Sequence, residues 1–218
     1  MTTWALLPVR SLAGAKSRLA AALDATERAA LARCLAQSVI AAAQAARGID
    51  AVAVVTGDAA ARALAEASGC RWLPDDPARG LSGNVDAAMA LLAGEGARTV
   101  VVVPADLPLL AAADLDALLA SHGGGVTVVP AAADGGTNAL AMTPPAAAPC
   151  RFGPDSAQAH LQAALERGVA ARLLALPGFA RDLDTVDDVR WLCAQPDGGT
   201  ARQYLEHSGI CARLRARG

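Results

Sequence analysis

Short apolar segments alternate with alanine-rich segments along most of this 218-residue chain. The apolar segments are too short to form useful helices, and several are rich in β-branched valine, so we predict that they are strands. The alanine-rich segments between them have a composition that favours helices. Regular alternation of this kind is typical of a mostly parallel sheet with helices on both faces. The sequence therefore predicts an α/β protein with a three-layer α/β/α arrangement.

The predicted elements follow one another at short intervals. The predicted strands are WALLPV, AVAVVT, CRWL, TVVVV, VTVVP, NALAM and ARLLAL. The predicted helices are ERAALARCLAQSVIAAAQAA, AAARALAEASG, NVDAAMALLAGEG, AADLDALLASH, SAQAHLQAALERG and one that opens at TVDDVRWLCA. No Pro/Ser-rich linker divides the series, so we expect one domain over residues 1–218.

Composition and charge exclude several classes of protein. Hydrophobic residues make up 54% of the chain. Even so, no apolar run approaches the roughly 20 residues that cross a bilayer. The N-terminus lacks the pattern of a secretory signal. A net charge of −2 gives no overall field to attract nucleic acid. We expect a cytoplasmic protein that binds neither membranes nor nucleic acid.

The cysteines and the arginine-rich C-terminus have simple interpretations. The five cysteines are widely separated and show no metal-binding spacing. We expect them to be reduced, inert thiols. The tail CARLRARG carries Arg213, Arg215 and Arg217, and we expect a solvated chain end there.

A single carboxylate follows the most apolar strand. Val100–Val103 reads as a strand buried on both faces, in the middle of a parallel sheet. Asp106 comes just after it, in PADLPLL, and ligands of open α/β sheets bind at the carboxyl ends of the strands. Asp106 is either the cap of the next helix or a ligand of a divalent metal.

Three cations lie in the loop after the first strand. Arg10, Lys16 and Arg18 surround Gly14 in PVRSLAGAKSRLA. Such a loop is either a solvated surface or a phosphate-binding turn. It matches neither the P-loop nor the dinucleotide-binding glycine pattern.

Two further carboxylates precede the helix at TVDDVRWLCA. Asp182 and Asp184 are two residues apart in extended chain, so they point to the same side. Thr185 has the features of a helix cap, with Asp187 and Asp188 in the first turn. The cap does not account for Asp182 and Asp184, which become candidates to share a metal with Asp106.

Two polar loops in the second half could bind an anion. Gly135-Gly136 permits close backbone approach to a ligand, with Thr137 and Asn138 as neutral donors. Ser156 stands where a helix begins, and a hydroxyl at a helix N-terminus suits a phosphate or carboxylate. Each loop could also be an ordinary turn.

Six motifs in this order resemble a known family. They are LLPVRSLAGAKSRLA, VVTGD, PADLPLL, DGGTNAL, FGPDSAQAHL and DLDTVDDV. Together they are similar to the phospholactate guanylyltransferases of coenzyme F-420 biosynthesis, over about residues 4–192. The resemblance implies a Rossmann-like nucleotidyltransferase fold and transfer of GMP from GTP, with release of pyrophosphate. The acceptor would be 2-phospho-L-lactate, phosphoenolpyruvate or 3-phospho-D-glycerate.

The resemblance also implies roles for residues, a metal and a partner. It makes Arg10, Lys16 and Asp106 catalytic, with Mg²⁺, or Mn²⁺ in its place, on Asp106, Asp184 and Asp182. It suggests a homodimer. The nucleotide would contact Leu7, Pro8, Arg10, Lys16, Arg18, Thr56, Asp58, Ser82, Asn84 and Asp106. The acceptor would contact Thr137, Asn138, Gly153 and Ser156.

The chain departs from the family pattern at two places. Relatives often read GLN where this chain reads GLSGN, with Ser82 in the place of the asparagine and Asn84 two residues later. They often read FGxGS where this chain has Asp155 before Ser156. Two alternatives stay open: a related nucleotidyltransferase with another nucleotide or acceptor, and a non-catalytic nucleotide-binding regulator.

Overall fold

The computed structural model describes residues 2–216, and its centre is one seven-stranded sheet. The strands are β1 Thr2–Pro8, β2 Ala51–Val55, β3 Arg71–Leu73, β4 Ala97–Val102, β5 Gly125–Pro130, β6 Thr137–Thr143 and β7 Ala171–Leu173. Their order in the sheet is β3-β2-β1-β4-β6-β5-β7. Only β6 runs antiparallel to its neighbours, β4 and β5. The prediction of a mostly parallel sheet is therefore confirmed.

Eight α-helices accompany this sheet within the described residues. They are α1 Ala25–Ala45, α2 Ala59–Ala67, α3 Gly80–Gly94, α4 Ala112–Ser121, α5 Ser156–Glu166, α6 Val186–Ala194, α7 Gly199–His207 and α8 Ile210–Arg215. Several begin where the sequence supplies a cap. Asp24 and Glu27 form a capping box at α1, and Thr185 and Asp188 form one at α6.

The three layers follow from the alternation of side chains along the central strands. Leu7 of β1 and Val101 of β4 face one side, where they pack with α1, α2 and α4. Leu6 and Val102 face the other side, where they pack with α3 and α5. A third cluster joins α6, α7 and α8 to the outer side of α1 through residues such as Leu35. Within residues 2–216, no helix has the length and apolar character to cross a membrane.

The C-terminal region differs from its prediction. Instead of a solvated end, α8 buries Ile210 and Leu214, and Arg213 forms an ion pair with Glu27 of α1 at 2.8 Å. The amphipathic pattern is only six residues long, which is too short to stand out in the sequence. Arg217 lies outside the described residues.

The cysteine prediction was also wrong for one pair. Cys193 of α6 and Cys211 of α8 form a disulfide, with their Cα atoms 5.7 Å apart. They are 18 residues apart in the chain and meet because α6 and α8 pack together in the third cluster. Cys34, Cys70 and Cys150 are free, as expected.

Candidate active site

The topology places a crevice between β1 and β4. From β1 the chain moves to β2 and β3 on one side, then returns to β4 on the other side. The carboxyl ends of β1 and β4 therefore lie beside a topological switch point, where ligands bind in open α/β sheets. A cavity of about 550 Å³ opens there, lined by Pro8, Arg10, Lys16, Asp106 and Asp184 among others. A second cavity of about 220 Å³ adjoins it and shares Pro8 and Arg10.

Three carboxylates meet at this crevice. Carboxylate oxygens of Asp106, Asp182 and Asp184 all lie within 4.8 Å of one another. A backbone hydrogen bond of 3.1 Å from the Leu183 N–H to the Asp106 carbonyl joins the two loops. Asp106 does not cap the next helix, because α4 begins after Ala111. The structure thus brings together the three residues that the sequence proposed as metal ligands.

Lys16 lies between two of these carboxylates. Its Nζ is 2.8 Å from Oδ2 of Asp106 and 2.8 Å from Oδ1 of Asp184. The backbone of Lys16 is in the left-handed conformation, with φ of 56°, which residues other than glycine rarely adopt. Burial by itself lowers the pKa of Lys16, but the two carboxylates raise it, and the net result is a pKa above the ordinary value. The ammonium is therefore charged.

The cluster has the donor set of a divalent-cation site. Lys16 pairs with Asp106 and Asp184, and Arg18 makes a longer contact with Asp184, but Asp182 has no ion-pair partner among the described residues. Oδ1 of Asp106 is buried and has no hydrogen-bond partner among the residues that the structure describes. Burial and the neighbouring Asp106 raise the pKa of Asp182, as expected where carboxylates are crowded. Oxygen ligands of this kind suit Mg²⁺, which takes one or two carboxylates together with substrate phosphates.

The other cations of the first loop are more exposed. Arg10 lines both cavities. Arg18 reaches Asp184 at 3.8 Å with a side chain that is 75% exposed. The loop itself is held by Ser11, whose hydroxyl donates to Asp58 at 2.9 Å. Because Arg10 lines the cavities and Arg18 is largely exposed, both guanidinium groups can reach phosphates at the crevice.

Asp58 and its neighbours support the loop. Asp58 caps α2 by accepting from the Ala61 N–H, and its own N–H donates to the Thr56 hydroxyl. Thr56 is buried, and Leu7 packs in the core away from the cavity lining. Of Leu7, Pro8, Thr56 and Asp58, it is Pro8 that lines the two cavities described above.

Ser82 and Asn84 of α3, both expected to contact the nucleotide, are hydrogen-bonded to other parts of the protein. The side-chain amide of Asn84 bonds to the Asp76 N–H, the Asp76 carbonyl and the Gly80 carbonyl, each at 2.9 Å. The Ser82 hydroxyl accepts from the Phe152 N–H at 2.9 Å. Asn84 also lines the smaller cavity, whereas Ser82 holds the loop that carries Gly153. A nucleotide contact from either residue stays a prediction.

The two anion-binding loops come together at the start of α5. The hydroxyl oxygens of Thr137 and Ser156 are 2.9 Å apart. Gly153 and Asp155 have φ values of 148° and 53°, so both adopt the left-handed half of conformational space. Asn138 is directed elsewhere, since its amide is buried and donates to the Phe179 carbonyl at 2.8 Å. The structure therefore brings Thr137 and Ser156 together but not Asn138, and contact of any of the three with an acceptor stays a prediction.

His160 is the residue of this site that the sequence interpretation missed. It is buried, with 1% of its surface exposed. Its Nδ1 lies 3.1 Å from the Thr137 hydroxyl. The sequence spacing could have indicated this position: His160 is four residues after Ser156, so both lie on the same face of α5.

Comparison with known proteins agrees with this geometry. The family model described as "Guanylyl transferase CofC like" matches residues 3–216. The chain belongs to this family. A phosphoenolpyruvate guanylyltransferase of Rubrobacter xylanophilus is 41% identical, over 87% of this chain and 92% of its own. A 2-phospho-L-lactate guanylyltransferase of Methanothermobacter thermautotrophicus is 33% identical, over 94% of this chain and 90% of its own.

Other members of the guanylyl transferase family differ in their named acceptors. Five further relatives, 37–40% identical, are named phosphoenolpyruvate guanylyltransferases. A 3-phospho-D-glycerate guanylyltransferase of Phenylobacterium zucineum is 34% identical over 97% of this chain and 98% of its own. These names confirm the family resemblance seen in the six motifs.

Solved structures support the fold assignment. A crystal structure from Desulfovibrio desulfuricans G20, described provisionally as a nucleotide-diphospho-sugar transferase, superposes with a TM-score of 0.80. It is 18% identical and covers 99% of this chain and 98% of its own. At this identity the likeness concerns the fold alone, and it agrees with a nucleotidyltransferase architecture.

Proposed function

We propose that this chain transfers GMP from GTP to a small phosphorylated carboxylic acid and releases pyrophosphate. The observation that carries the proposal is the cluster of Lys16 and three carboxylates at the switch-point crevice. Phosphoryl-transfer sites need such a combination of cation, metal ligands and open cavity. Phosphoenolpyruvate is the preferred acceptor, because the relatives that are 37–41% identical carry its name.

The reaction forms one bond and breaks another. An acceptor phosphate oxygen attacks the α-phosphorus of GTP, and the bond from that phosphorus to the bridging oxygen of pyrophosphate breaks. Pyrophosphate leaves with the electron pair. Phosphate has a second pKa of about 6, so the nucleophile is already ionised at neutral pH. The site needs no general base.

The histidines are consistent with this chemistry. Burial lowers the pKa of His160 to about 4, so it is neutral at pH 7. His122 is bonded to the hydroxyls of Thr127 and Thr143. Neither has the free, basic nitrogen that a general base requires.

The main barrier is repulsion between two anionic substrates. Arg10 and Lys16 would neutralise charge that grows on the departing pyrophosphate. Asp106, Asp184 and Asp182 would hold Mg²⁺, which shields phosphate charge and polarises the phosphoryl oxygen. The Thr137 and Ser156 hydroxyls would hold the acceptor's anionic groups, so positioning supplies the remaining catalysis.

A substrate panel tests the proposal. The purified protein is assayed for pyrophosphate release with each of four nucleoside triphosphates and the three phospho-acids, in Mg²⁺. We expect turnover with GTP and at least one of the acids, and most rapidly with phosphoenolpyruvate. Turnover with CTP instead would identify a related cytidylyltransferase. Nucleotide binding without turnover on any acid would support the non-catalytic alternative.

Matched variants connect turnover to the site. Asp184→Asn removes a proposed metal ligand, while Asp187→Asn changes a carboxylate three residues later whose side chain is 81% exposed and paired with Arg190. We expect the first to abolish turnover and the second to keep it. Equal activity of the two variants would contradict the assignment of the site.

A further inference from the structure

His160 lies next to the hydroxyl of Thr137, which contacts that of Ser156, and the proposed function assigns both hydroxyls to the acceptor. This residue of α5 is buried, and its ring packs edge-to-face with that of Phe152, with the ring centroids 4.8 Å apart. One ring nitrogen, Nε2, accepts from the Arg151 backbone N–H at 2.9 Å. The other nitrogen, Nδ1, lies 3.1 Å from Oγ1 of Thr137. The histidine therefore connects the backbone of one loop to the hydroxyl of another.

We infer that His160 is a positioning residue that fixes the direction of a hydroxyl chain, so that Ser156 presents its proton to the acceptor's anionic group. This inference rests on the proposed function, because it deepens the role given to Thr137 and Ser156. Neither the sequence motifs nor the relatives' names assign any role to His160.

The tautomer of the ring follows from its partners. A backbone N–H can only donate, so Nε2 of His160 must carry the lone pair that accepts from Arg151. In a neutral imidazole the proton is then on Nδ1. Arg151 and Asp86 are the charged residues whose fields act on the ring, with opposite signs, and burial is the larger effect and favours the neutral form.

The proton on Nδ1 sets the order of the next two bonds. Nδ1–H donates to the Thr137 hydroxyl oxygen. The Thr137 hydroxyl proton is then directed to Ser156, whose oxygen lies 2.9 Å away. Ser156 accepts that bond and keeps its own proton for a further partner.

This direction matters for an anionic ligand. Phosphate and carboxylate oxygens only accept hydrogen bonds, so they need donors around them. With the chain reversed, Ser156 would present a lone pair to the anion, which is repulsive. His160 thus acts on the acceptor through Thr137 and Ser156, without touching it.

The loop that supplies the Arg151 N–H is itself fixed. Asp86 accepts from the Cys150 N–H at 2.9 Å, and Ser82 accepts from the Phe152 N–H at 2.9 Å. Both acceptors belong to α3 and lie four residues apart on one face of it. The backbone group that selects the tautomer is therefore held from a second helix.

Two substitutions separate the donor from the acceptor function of the ring. In His160→Asn the amide nitrogen takes the place of Nδ1 and can still donate to Thr137. In His160→Gln the amide oxygen takes the place of Nε2 and can accept from Arg151, but no donor remains for Thr137. We expect His160→Gln to raise the acceptor KM roughly tenfold or more, by the loss of a hydrogen bond to a charged group. His160→Asn should stay within about twofold.

The KM for GTP should change by less than about twofold in both variants, since the proposed function assigns GTP to the loop of Arg10 and Lys16, which His160 does not contact. Equal increases in the acceptor KM of the two variants, or a parallel rise in the KM for GTP, would overturn the inference. Thr137→Val provides a further readout: adding His160→Gln to it should have little additional effect on the acceptor KM, because the chain is already broken. Additive effects would mean that His160 has only a structural role.

A measurement without substrate keeps this inference separate from the proposed function. In the full-length protein labelled with ¹³C and ¹⁵N at histidine, NMR shifts identify the tautomer of each ring, and His160→Asn assigns the His160 signal. The Nδ1–H tautomer at pH 7 supports the inference, whereas Nε2–H or a protonated ring overturns it. Absence of turnover with any phospho-acid would instead count against the proposed function.

Discussion

The ammonium of Lys16 lies 2.8 Å from Oδ2 of Asp106, although the two residues are 90 positions apart in the chain. Lys16 is the only lysine in a sequence that otherwise uses arginine for every cation. A compact ammonium fits between two carboxylates, while a planar guanidinium is larger and needs a fork of acceptors. The single lysine thus occupies a position where both the size and the charge density of the cation matter.

Replacing Lys16 should reduce turnover strongly. For Lys16→Met we expect kcat to fall by about 10² to 10³, since one electrostatic stabiliser of the transition state is lost. Lys16→Arg should be nearly as inactive because the larger group cannot occupy the same space. Steady-state kinetics at saturating Mg²⁺ measures both. A kcat for Lys16→Met within twofold of the wild type would remove Lys16 from the mechanism.

Neutralising any of the three carboxylates should reduce turnover, and neutralising Asp182 should also stabilise the metal-free protein. Asp106→Asn and Asp184→Asn should abolish GMP transfer while the protein stays folded. Asp182→Asn should also weaken activity. It should raise the melting temperature of the metal-free protein at pH 7, because burial and Asp106 disfavour the charged form of Asp182.

Thermal unfolding with EDTA and with Mg²⁺ measures the effect of Asp182→Asn. In the wild type Mg²⁺ should raise the melting temperature, since a ligand that binds only the native state stabilises it. The increase should shrink in each of the three variants. An unchanged response to Mg²⁺ in Asp106→Asn would show that the cluster is not the metal site.

Stability should fall as the solution is acidified through the range in which unfolded histidine titrates. The pKa of His160 is lowered by burial from 6.5 to about 4, so below pH 6.5 the unfolded chain binds a proton that the native protein does not. The stability that neutral His160 contributes is present above pH 6.5 and is lost as the pH falls towards 4. Burial lowers the pKa of His122 in the same direction.

Chemical denaturation at pH 7 and pH 5 measures this loss. The shift of His160 corresponds to about 2 kcal/mol between these two pH values. His160→Asn should show a correspondingly smaller loss between them. A loss in the variant as large as that in the wild type would mean that the histidine is not buried in its neutral form.

Two neighbouring residues of α3 should give different phenotypes. Ser82→Ala leaves the Phe152 N–H without its partner and should raise the acceptor KM, because the loop that carries Gly153 is loosened. Asn84→Ala removes three hydrogen bonds to backbone groups and should lower the free energy of unfolding by about 1–3 kcal/mol. Kinetics and urea denaturation of both variants separate them. A rise in the KM for GTP alone in Ser82→Ala would instead favour the family's nucleotide contact.

The disulfide makes a simple count possible. Unfolded protein that has never met a reductant should show three reactive thiols, those of Cys34, Cys70 and Cys150. After reduction it should show five, as Cys193 and Cys211 are released. Titration with a thiol reagent in denaturant makes the measurement. Five thiols before reduction would show that the pair is not oxidised in the isolated protein.

The sequence predicted the alternation of strands and helices and the elements that have strong local sequence patterns. The valine run of β4 and the Thr185 cap of α6 each have a local pattern that leaves little choice. The meeting of Asp106 with Asp184 could be predicted because the Thr185 cap does not account for Asp184, and because the family resemblance implies a shared metal. Local chemistry and topology agree at these positions.

The residues that the sequence misplaced depend on tertiary contacts. Asn138 is polar and lies in a motif, yet its amide donates to the Phe179 carbonyl, 41 positions away in the chain. His160 was missed because burial by Phe152 and Thr137 cannot be seen in the pattern of α5. The disulfide between Cys193 and Cys211 depends on the packing of α6 against α8, which no local sequence pattern predicts.

The reversed strand β6 has a consequence for how such enzymes can diversify. Because β6 runs against β4 and β5, its first residue, Thr137, lies at the same edge as the last residues of those strands. The hairpin of residues 131–136 between β5 and β6 can therefore be rebuilt without disturbing β1, β2 or the loop of Lys16. Under the proposed function, the residues that recognise the nucleotide and those that recognise the acceptor would lie on separate parts of one sheet. A change in this short loop could then alter the acceptor, while the half of the sheet to which the proposed function assigns the nucleotide stays unchanged.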